Sequence, residues 1–111
     1  MKKTTFISMI IFTAVILLAV FILNRPAGNV SEETAQCIGE NSKLYVQFGC
    51  THCDAQEDLF GKSYKFLNVT DCFYEIEKCE GVERTPTWII NDEEITGVQS
   101  IETLKELTGC Q

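Results

Sequence analysis

Cys50 and Cys53 are separated by two residues. At this spacing two thiols can form a disulfide that is later reduced again, and the pair can thus transfer two electrons. Residues 44–48 (LYVQF) predict a short buried strand, and residues 54–60 have helical composition with Gly61 as a stop. The pair therefore lies at a strand-to-helix junction, where unpaired N–H groups and the helix dipole stabilise a thiolate. We expect Cys50 to be the attacking thiol. Cys53, one turn further in, is expected to be more buried and to resolve mixed disulfides.

Two other uses of this pair are compatible with its spacing. One is a purely structural disulfide, and the other is half of a zinc site in which His52 is a third ligand. Zinc would need a fourth ligand at a suitable spacing, but the chain contains one histidine. The remaining cysteines are better explained as partners of one another, so the sequence predicts no metal site.

Length, cysteine content and charge limit the class of protein. A chain of 111 residues has room for one small domain. Six cysteines would be unusual in a reducing cytosol, and an even number on an exported chain suggests a disulfide framework plus a redox pair. From residue 26 onward there are 6 basic and 16 acidic residues, a balance of −10. This acidity disfavours nucleic-acid binding.

Residues 1–25 have the features of a transmembrane signal anchor. Lys2 and Lys3 precede an apolar run, residues 6–23, which is marginally long enough to cross a bilayer. A cleaved signal peptide is the alternative, but its apolar region would be shorter and followed by small residues. The N-terminal charges outweigh the lone Arg25, so we expect a single-pass protein of the cell membrane with its N-terminus in the cytoplasm. The rest of the chain would then face the extracytoplasmic, oxidising side.

A polar segment, residues 26–40, follows the apolar run. Its composition predicts a short tether that keeps the redox domain, residues 41–111, close to the membrane surface. Cys37 lies within this tether.

The middle of the domain contains a second cysteine pair. Residues 64–69 alternate enough to predict a second strand. Cys72 and Cys79 follow in a segment, residues 71–80, where a continuous helix would hold them about 10 Å apart, too far for a disulfide. Either this segment is an irregular loop closed by a bridge, or its helix is interrupted, and we favour the loop.

The last third of the chain predicts a hairpin and a helix. Residues 87–90 and 94–96 are β-rich runs joined by a short acidic turn, which is typical of an antiparallel hairpin. Ser100 is a suitable N-cap for a final helix that ends at Gly109. The predicted order is β-α-β-(loop or α)-β-β-α, an α/β fold preceded by one transmembrane helix.

This order, with a Cys-x-x-Cys helix and a Thr-Pro-Thr segment before the hairpin, resembles the thioredoxin fold. In that family a cis-proline opens the third strand beside the redox pair, and the backbone just before it binds extended substrate peptide. Thr85 and Pro86 match those positions and are therefore expected to bind substrate. The alternative is an ordinary trans proline that opens an edge strand.

Three motifs narrow the resemblance: residues 59–62 (LFGK), 86–91 (PTWIIN) and 96–100 (TGVQS). They resemble the thioredoxin-like domain found fused to bacterial homologues of vitamin K epoxide reductase. The family domain works outside the cytoplasm and passes electrons from substrate dithiols to the membrane-embedded reductase, which helps to form disulfides in exported proteins. A second cysteine pair also occurs there, which implies that Cys72 pairs with Cys79.

The departure from that family is architectural, because a single anchor stands in place of the catalytic membrane domain. The resemblance therefore implies a separate membrane protein, similar to vitamin K epoxide reductase, as the electron acceptor. Exported cysteine-containing proteins would be the substrates. No cofactor is expected beyond the redox-active disulfide, with quinone involved only through the membrane partner.

Residues around the pair suggest an oxidising site. His52, beside Thr51, resembles the Cys-x-His-Cys pattern of strongly oxidising thioredoxin-fold proteins, which implies that both residues tune the redox potential. A merely exposed helix residue is the alternative for His52. Gln47 is expected where cytosolic thioredoxins carry a buried acid, and a neutral amide cannot deprotonate the resolving thiol.

Cys37 and Cys110 remain after the other pairs are assigned. By elimination we expect them to pair, which would tie the predicted tether to the end of the last helix. The alternative is a free thiol at one of them, available for a bridge to another chain.

These features predict a membrane-anchored, extracytoplasmic thiol-disulfide oxidoreductase that oxidises dithiols through Cys50 and Cys53. A reductase or isomerase on the same scaffold is one alternative. A non-catalytic tethered binding module, in which all six cysteines are structural, is the other.

Overall fold

The computed structural model describes residues 2–24 and 30–111. It is a mixed α/β chain with an N-terminal apolar helix and one four-stranded sheet. In chain order the helices are α1 (Lys2–Leu23), α2 (Glu32–Glu40), α3 (Thr51–Phe60) and α4 (Ile101–Thr108), and the strands are β1 (Lys43–Val46), β2 (Val69–Asp71), β3 (Thr87–Ile90) and β4 (Glu93–Thr96). Two short 3₁₀ helices, Gly61–Phe66 and Ile76–Lys78, flank β2.

Helix α1 coincides with the predicted apolar segment. By length and composition it could cross a membrane, and both membrane anchors and signal sequences have these properties. The boundary between the predicted anchor and tether, residues 25–29, lies outside the described residues.

The C-terminal part of the predicted tether forms helix α2, which the polar composition of residues 26–40 did not predict. Ser31 caps α2 by accepting a hydrogen bond from the Thr34 N–H at 3.2 Å. Ala35 and Ile38 are buried on one face, and Gly39 packs so closely against residue 66 that an added methyl group would overlap a carbonyl oxygen. The polar composition concealed this narrow apolar face.

The sheet order is β2-β1-β3-β4. β1 pairs in parallel with β2 and antiparallel with β3, and β3 pairs antiparallel with β4. β1 is therefore an inner strand, and the chain that leaves its carboxyl end has β2 on one side and β3 on the other.

The second strand begins later than predicted. Residues 61–66 form a 3₁₀ helix, and β2 covers Val69–Asp71. Of the predicted strand, residues 64–69, only Val69 belongs to β2. The next segment is a loop with one 3₁₀ turn, as favoured from the sequence, and it brings the Cα atoms of Cys72 and Cys79 within 5.7 Å.

The hairpin and the last helix are confirmed. Asn91 and Asp92 form a two-residue turn with φ values of 52° and 63°, the left-handed backbone that a type I′ turn requires. Ser100 caps α4 through the Thr103 N–H at 3.1 Å, and Gly109 ends it with φ 75°.

The core contains one fully buried large side chain from each of five elements. These residues come from α2, β1, α3, β3 and α4: Ile38, Leu44, Phe60, Trp88 and Leu104. The Phe60 and Trp88 rings lie 6.1 Å apart and join the cysteine-bearing helix to the sheet. This packing fixes the position of α3 relative to the sheet.

Candidate active site

The loop between β1 and α3 places Cys50 at the start of the helix. Gly49 has φ 84°, a backbone conformation that favours glycine, and the Cys50 N–H donates to the Gln47 carbonyl at 3.1 Å. Cys50 is the N-cap of α3, and its sulfur accepts a hydrogen bond from the Cys53 N–H at 3.2 Å. A side-chain sulfur thus occupies the position that serine or aspartate usually takes.

Cys50 and Cys53 are both free thiols in this structure but differ in accessibility. Cys50 is partly exposed, whereas Cys53 is only 5% exposed. A thiol at a helix N-terminus can therefore be reached from solvent, while its partner one turn on is covered.

The pKa values of the two thiols move in opposite directions. Burial acts to raise the pKa of Cys50, but hydrogen bonds from the Cys53 side chain, from Thr85 and from the backbone of Cys53 and His52 outweigh it, so that pKa is lowered. Burial raises the pKa of Cys53 to about 11, and its hydrogen bond to Cys50 adds to the rise. Cys50 is therefore the thiol of the pair that ionises first as the pH rises, beside a Cys53 that is protonated at neutral pH.

Thr85, which precedes Pro86, lies against the Cys50 sulfur. The peptide bond between them is cis. The Thr85 hydroxyl donates to Cys50 Sγ at 3.5 Å, and the Cys50 thiol donates to the Thr85 carbonyl at 3.6 Å. The structure thus brings together two segments that are 35 residues apart in the chain.

Thr51 and His52, which were predicted to tune the redox potential, have fewer contacts with the Cys50 sulfur than Thr85 has. Thr51 and His52 are exposed on the first turn of α3, and among the described residues no hydrogen bond joins the His52 ring to Cys50. The His52 backbone, rather than its ring, contributes to the lowered pKa of Cys50. The Gln47 side chain is exposed, so it does not occupy a buried position beneath Cys53.

The remaining cysteines form two disulfides away from the free pair. Cys72 is joined to Cys79 directly after β2, and the Cys72 N–H donates to the Val46 carbonyl at 2.8 Å, next to the end of β1. Cys37 is joined to Cys110 over a sequence separation of 73 residues. The second bridge ties α2 to the chain end, where Thr34 Oγ1 also donates to the Gln111 carbonyl at 2.8 Å.

Gln56 is a buried polar residue that the sequence analysis missed. Its side chain is fully buried on α3, and Oε1 accepts from the Trp88 indole at 3.0 Å and from the Gln99 N–H at 2.7 Å. Its Nε2 donates to the Gln99 carbonyl at 3.0 Å. Cys53, Gln56 and Phe60 form the buried stripe of α3, and this spacing was the available signal.

The described residues, 2–24 and 30–111, include no cluster of three or more histidine, cysteine, aspartate or glutamate side chains arranged to hold a metal. The arrangement of Cys50, Cys53 and Thr85 is instead suited to thiol–disulfide exchange. It has one accessible sulfur with a stabilised thiolate and a covered second sulfur within reach.

Comparison with known proteins agrees with this chemistry. The chain is 35% identical over 79 residues to the thiol-disulfide oxidoreductase LTO1 of Arabidopsis thaliana, an alignment that covers 61% of this chain and 21% of that protein. The chain thus matches about a fifth of the length of this curated relative. No family model matches the sequence.

Proposed function

We propose that this chain is a thiol-disulfide oxidoreductase that oxidises substrate dithiols through Cys50 and Cys53. The asymmetry of the two thiols carries the proposal: Cys50 is accessible with a lowered pKa, whereas Cys53 is covered with a pKa of about 11. A purely structural disulfide would not require two thiols that differ in accessibility and pKa. The similarity to a thiol-disulfide oxidoreductase supports the same conclusion.

The reaction starts from the disulfide between Cys50 and Cys53. A substrate thiolate attacks Cys50 Sγ, the bond between the two protein sulfurs breaks, and Cys53 leaves and takes up a proton. A second substrate thiolate then attacks the substrate sulfur of the mixed disulfide and releases Cys50 as a thiolate. The substrate dithiol loses two electrons and becomes a disulfide, and the protein pair is reduced.

The stabilised Cys50 thiolate favours the oxidase direction. Whatever lowers the pKa of Cys50 stabilises the reduced protein and makes its disulfide a stronger oxidant. A reductase or isomerase on the same scaffold remains the runner-up. A redox titration separates these functions, since an oxidase is expected near about −120 mV, a reductase near about −270 mV and a structural bridge below about −300 mV. A potential in the last range would overturn the proposal.

Substrate peptide is proposed to lie along Thr85 and Pro86. The Thr85 carbonyl faces Cys50, so a peptide that reaches the sulfur passes this backbone. The placement agrees with a thioredoxin-like fold, which the strand order and the cysteine-capped helix also support. A substrate trapped on Cys50 should therefore protect this segment from amide hydrogen exchange.

We further propose that α1 is a retained anchor and that the redox domain is extracytoplasmic. Residues 2–23 are long and apolar enough to span a membrane, and the two disulfides suit an oxidising compartment. Intact-mass measurement of the membrane-extracted protein decides between anchor and cleaved signal. Protease protection in sealed cells tests the orientation, because an extracytoplasmic domain is digested from outside.

The electron acceptor is proposed to be a separate membrane protein similar to vitamin K epoxide reductase, which would pass electrons to quinone. Two partners held in one bilayer meet at a high effective concentration, so a weak contact is sufficient. Co-expression of such a protein should increase the oxidised fraction of Cys50 and Cys53 in a quinone-dependent way. An unchanged oxidised fraction would contradict this partner without affecting the proposed thiol chemistry.

A further inference from the structure

A groove of about 760 Å³ lies on the β2 side of the cysteine pair. Its walls are the end of β1, the first turns of α3 and the chain after β2, and the covered thiol Cys53 forms part of its lining. Thr85, which precedes β3, lies on the opposite side of β1. The groove is therefore distinct from the Thr85 segment, and the two flank the reactive pair.

Exposed aromatic rings form one rim of the groove. Phe48, Phe73 and Tyr74 pack against one another with ring centroids 5.0 to 6.2 Å apart, yet each is more than half exposed. Contiguous apolar surface of this kind on a small domain marks an interaction site. Phe48 and Tyr74 face the groove itself.

The charge of the groove is negative. Its lining includes four carboxylates and no lysine or arginine: Asp54, Glu57, Asp71 and Glu75. Glu75 pairs with Lys78, and Asp71 accepts hydrogen bonds from the Phe48 and Phe73 N–H groups. Asp54 and Glu57 form no ion pair with any residue in the described parts of the chain.

We infer that this groove binds a basic side chain close to the reacting cysteine of the substrate polypeptide. A guanidinium group fits both features, because it stacks on aromatic faces and pairs with carboxylates. A peptide laid along Thr85 crosses Cys50 and continues toward Phe48 and Glu57. The inference rests on the proposed function and adds a substrate class to it: cysteines with a neighbouring arginine or lysine.

The test uses the full-length protein in neutral detergent with Cys50 and Cys53 oxidised. Short synthetic peptides with a single cysteine are compared, identical except that arginine, glutamine, glutamate or phenylalanine flanks the cysteine. The rate at which each peptide reduces the protein is divided by its rate with a small neutral disulfide. This division removes the effect of the flanking residue on the thiol of the peptide itself.

The arginine peptide is expected to react faster than the glutamine peptide, and the glutamate peptide slower. The preference should be roughly two- to fivefold, the size of one exposed charge or cation–π contact, and should shrink as salt is raised. Glu57→Gln should remove most of this preference. Tyr74→Ala should lower it as well.

Matched controls distinguish an arginine preference caused by the groove from one caused by the overall negative charge of the domain. Asp58→Asn removes one carboxylate from an exposed position next to Glu57 on α3, but outside the groove lining. Ile76→Ala removes an exposed apolar side chain beyond the groove and serves as the control for Tyr74→Ala. Both controls should keep the arginine preference of the unaltered protein.

An equal loss of the arginine preference in Glu57→Gln and Asp58→Asn would contradict binding of the basic side chain in the groove, since the overall charge of the domain would explain the preference. Equal rates for all peptides would contradict this binding too, while leaving the proposed function intact. A preference for the phenylalanine peptide alone would assign the groove to an apolar segment and refute the basic one. If no peptide reduced the protein, the proposed function itself would fail and the inference with it.

Discussion

The Thr85 hydroxyl donates a hydrogen bond to Cys50 Sγ over 3.5 Å, while the Thr85 carbonyl accepts one from the Cys50 thiol over 3.6 Å. The hydroxyl favours the thiolate, and the carbonyl favours the protonated thiol. Both groups belong to the residue that precedes the cis bond to Pro86. A substitution can remove the hydroxyl and leave the carbonyl in place.

Thr85→Val is therefore expected to raise the pKa of Cys50 and to slow its reaction at neutral pH. Valine keeps the shape of threonine but lacks the donor, and a hydrogen bond worth about 1 kcal/mol corresponds to about fivefold less thiolate. The measurement is the rate of Cys50 alkylation against pH. Thr96→Val, at an exposed position on β4, is the control and should leave the profile unchanged. An identical profile in Thr85→Val would show that the hydroxyl does not act on Cys50.

The alkylation rates of the two free thiols, followed by mass spectrometry, should depend on pH in clearly different ways. Cys50 should react with a midpoint below the ordinary thiol value, because its pKa is lowered. With a pKa of about 11, Cys53 has about one thiolate in ten thousand at pH 7 and should react only in strongly alkaline solution.

The same difference predicts which variant traps substrates. Cys53→Ala should accumulate mixed disulfides on Cys50, because no second protein thiol remains to release them. Cys50→Ala should trap almost nothing, because the remaining thiol is covered and protonated. Stronger trapping in Cys50→Ala than in Cys53→Ala would reverse the two roles.

Gln56→Leu should destabilise the fold measurably. The change leaves the buried Trp88 indole N–H and the half-buried N–H and carbonyl of Gln99 without their partner, and an unpaired group costs about 1–3 kcal/mol when fully buried. We expect a loss of roughly 2–5 kcal/mol, since neighbouring groups relax. Urea unfolding measures the loss. Gln47→Leu changes an exposed glutamine and should stay within about 0.5 kcal/mol; a similar value for Gln56→Leu would refute the role of the network.

The two disulfides should contribute unequally to stability. Replacing Cys37 and Cys110 by alanine opens a loop of 73 residues, worth about 4 kcal/mol of unfolded-state entropy, and should loosen α2. Replacing Cys72 and Cys79 opens a loop of only 7 residues, worth about 2.5 kcal/mol. Urea unfolding of both double variants should show the larger loss for the first pair, and the reverse order would mean that local packing outweighs loop entropy.

Sequence alone determined the features that depend on local signals. The spacing of Cys50 and Cys53 and the helix start between them follow from neighbouring residues. The tight turn at Asn91 and Asp92 and the serine cap of α4 are also short-range, because the backbone preferences of a few residues decide them.

Tertiary structure decided what depends on contacts between distant segments. A nine-residue polar segment is not a stable helix by itself, and α2 exists because Ala35 and Ile38 are buried and Cys37 is bonded to the chain end. The position of β2 likewise depends on its pairing with β1. The contact of Thr85 with Cys50 and the burial of Gln56 between Trp88 and Gln99 arise only when the sheet order brings these segments together. Short-range patterns thus identify the two candidate redox thiols, and long-range packing sets their pKa values and the surfaces that flank them.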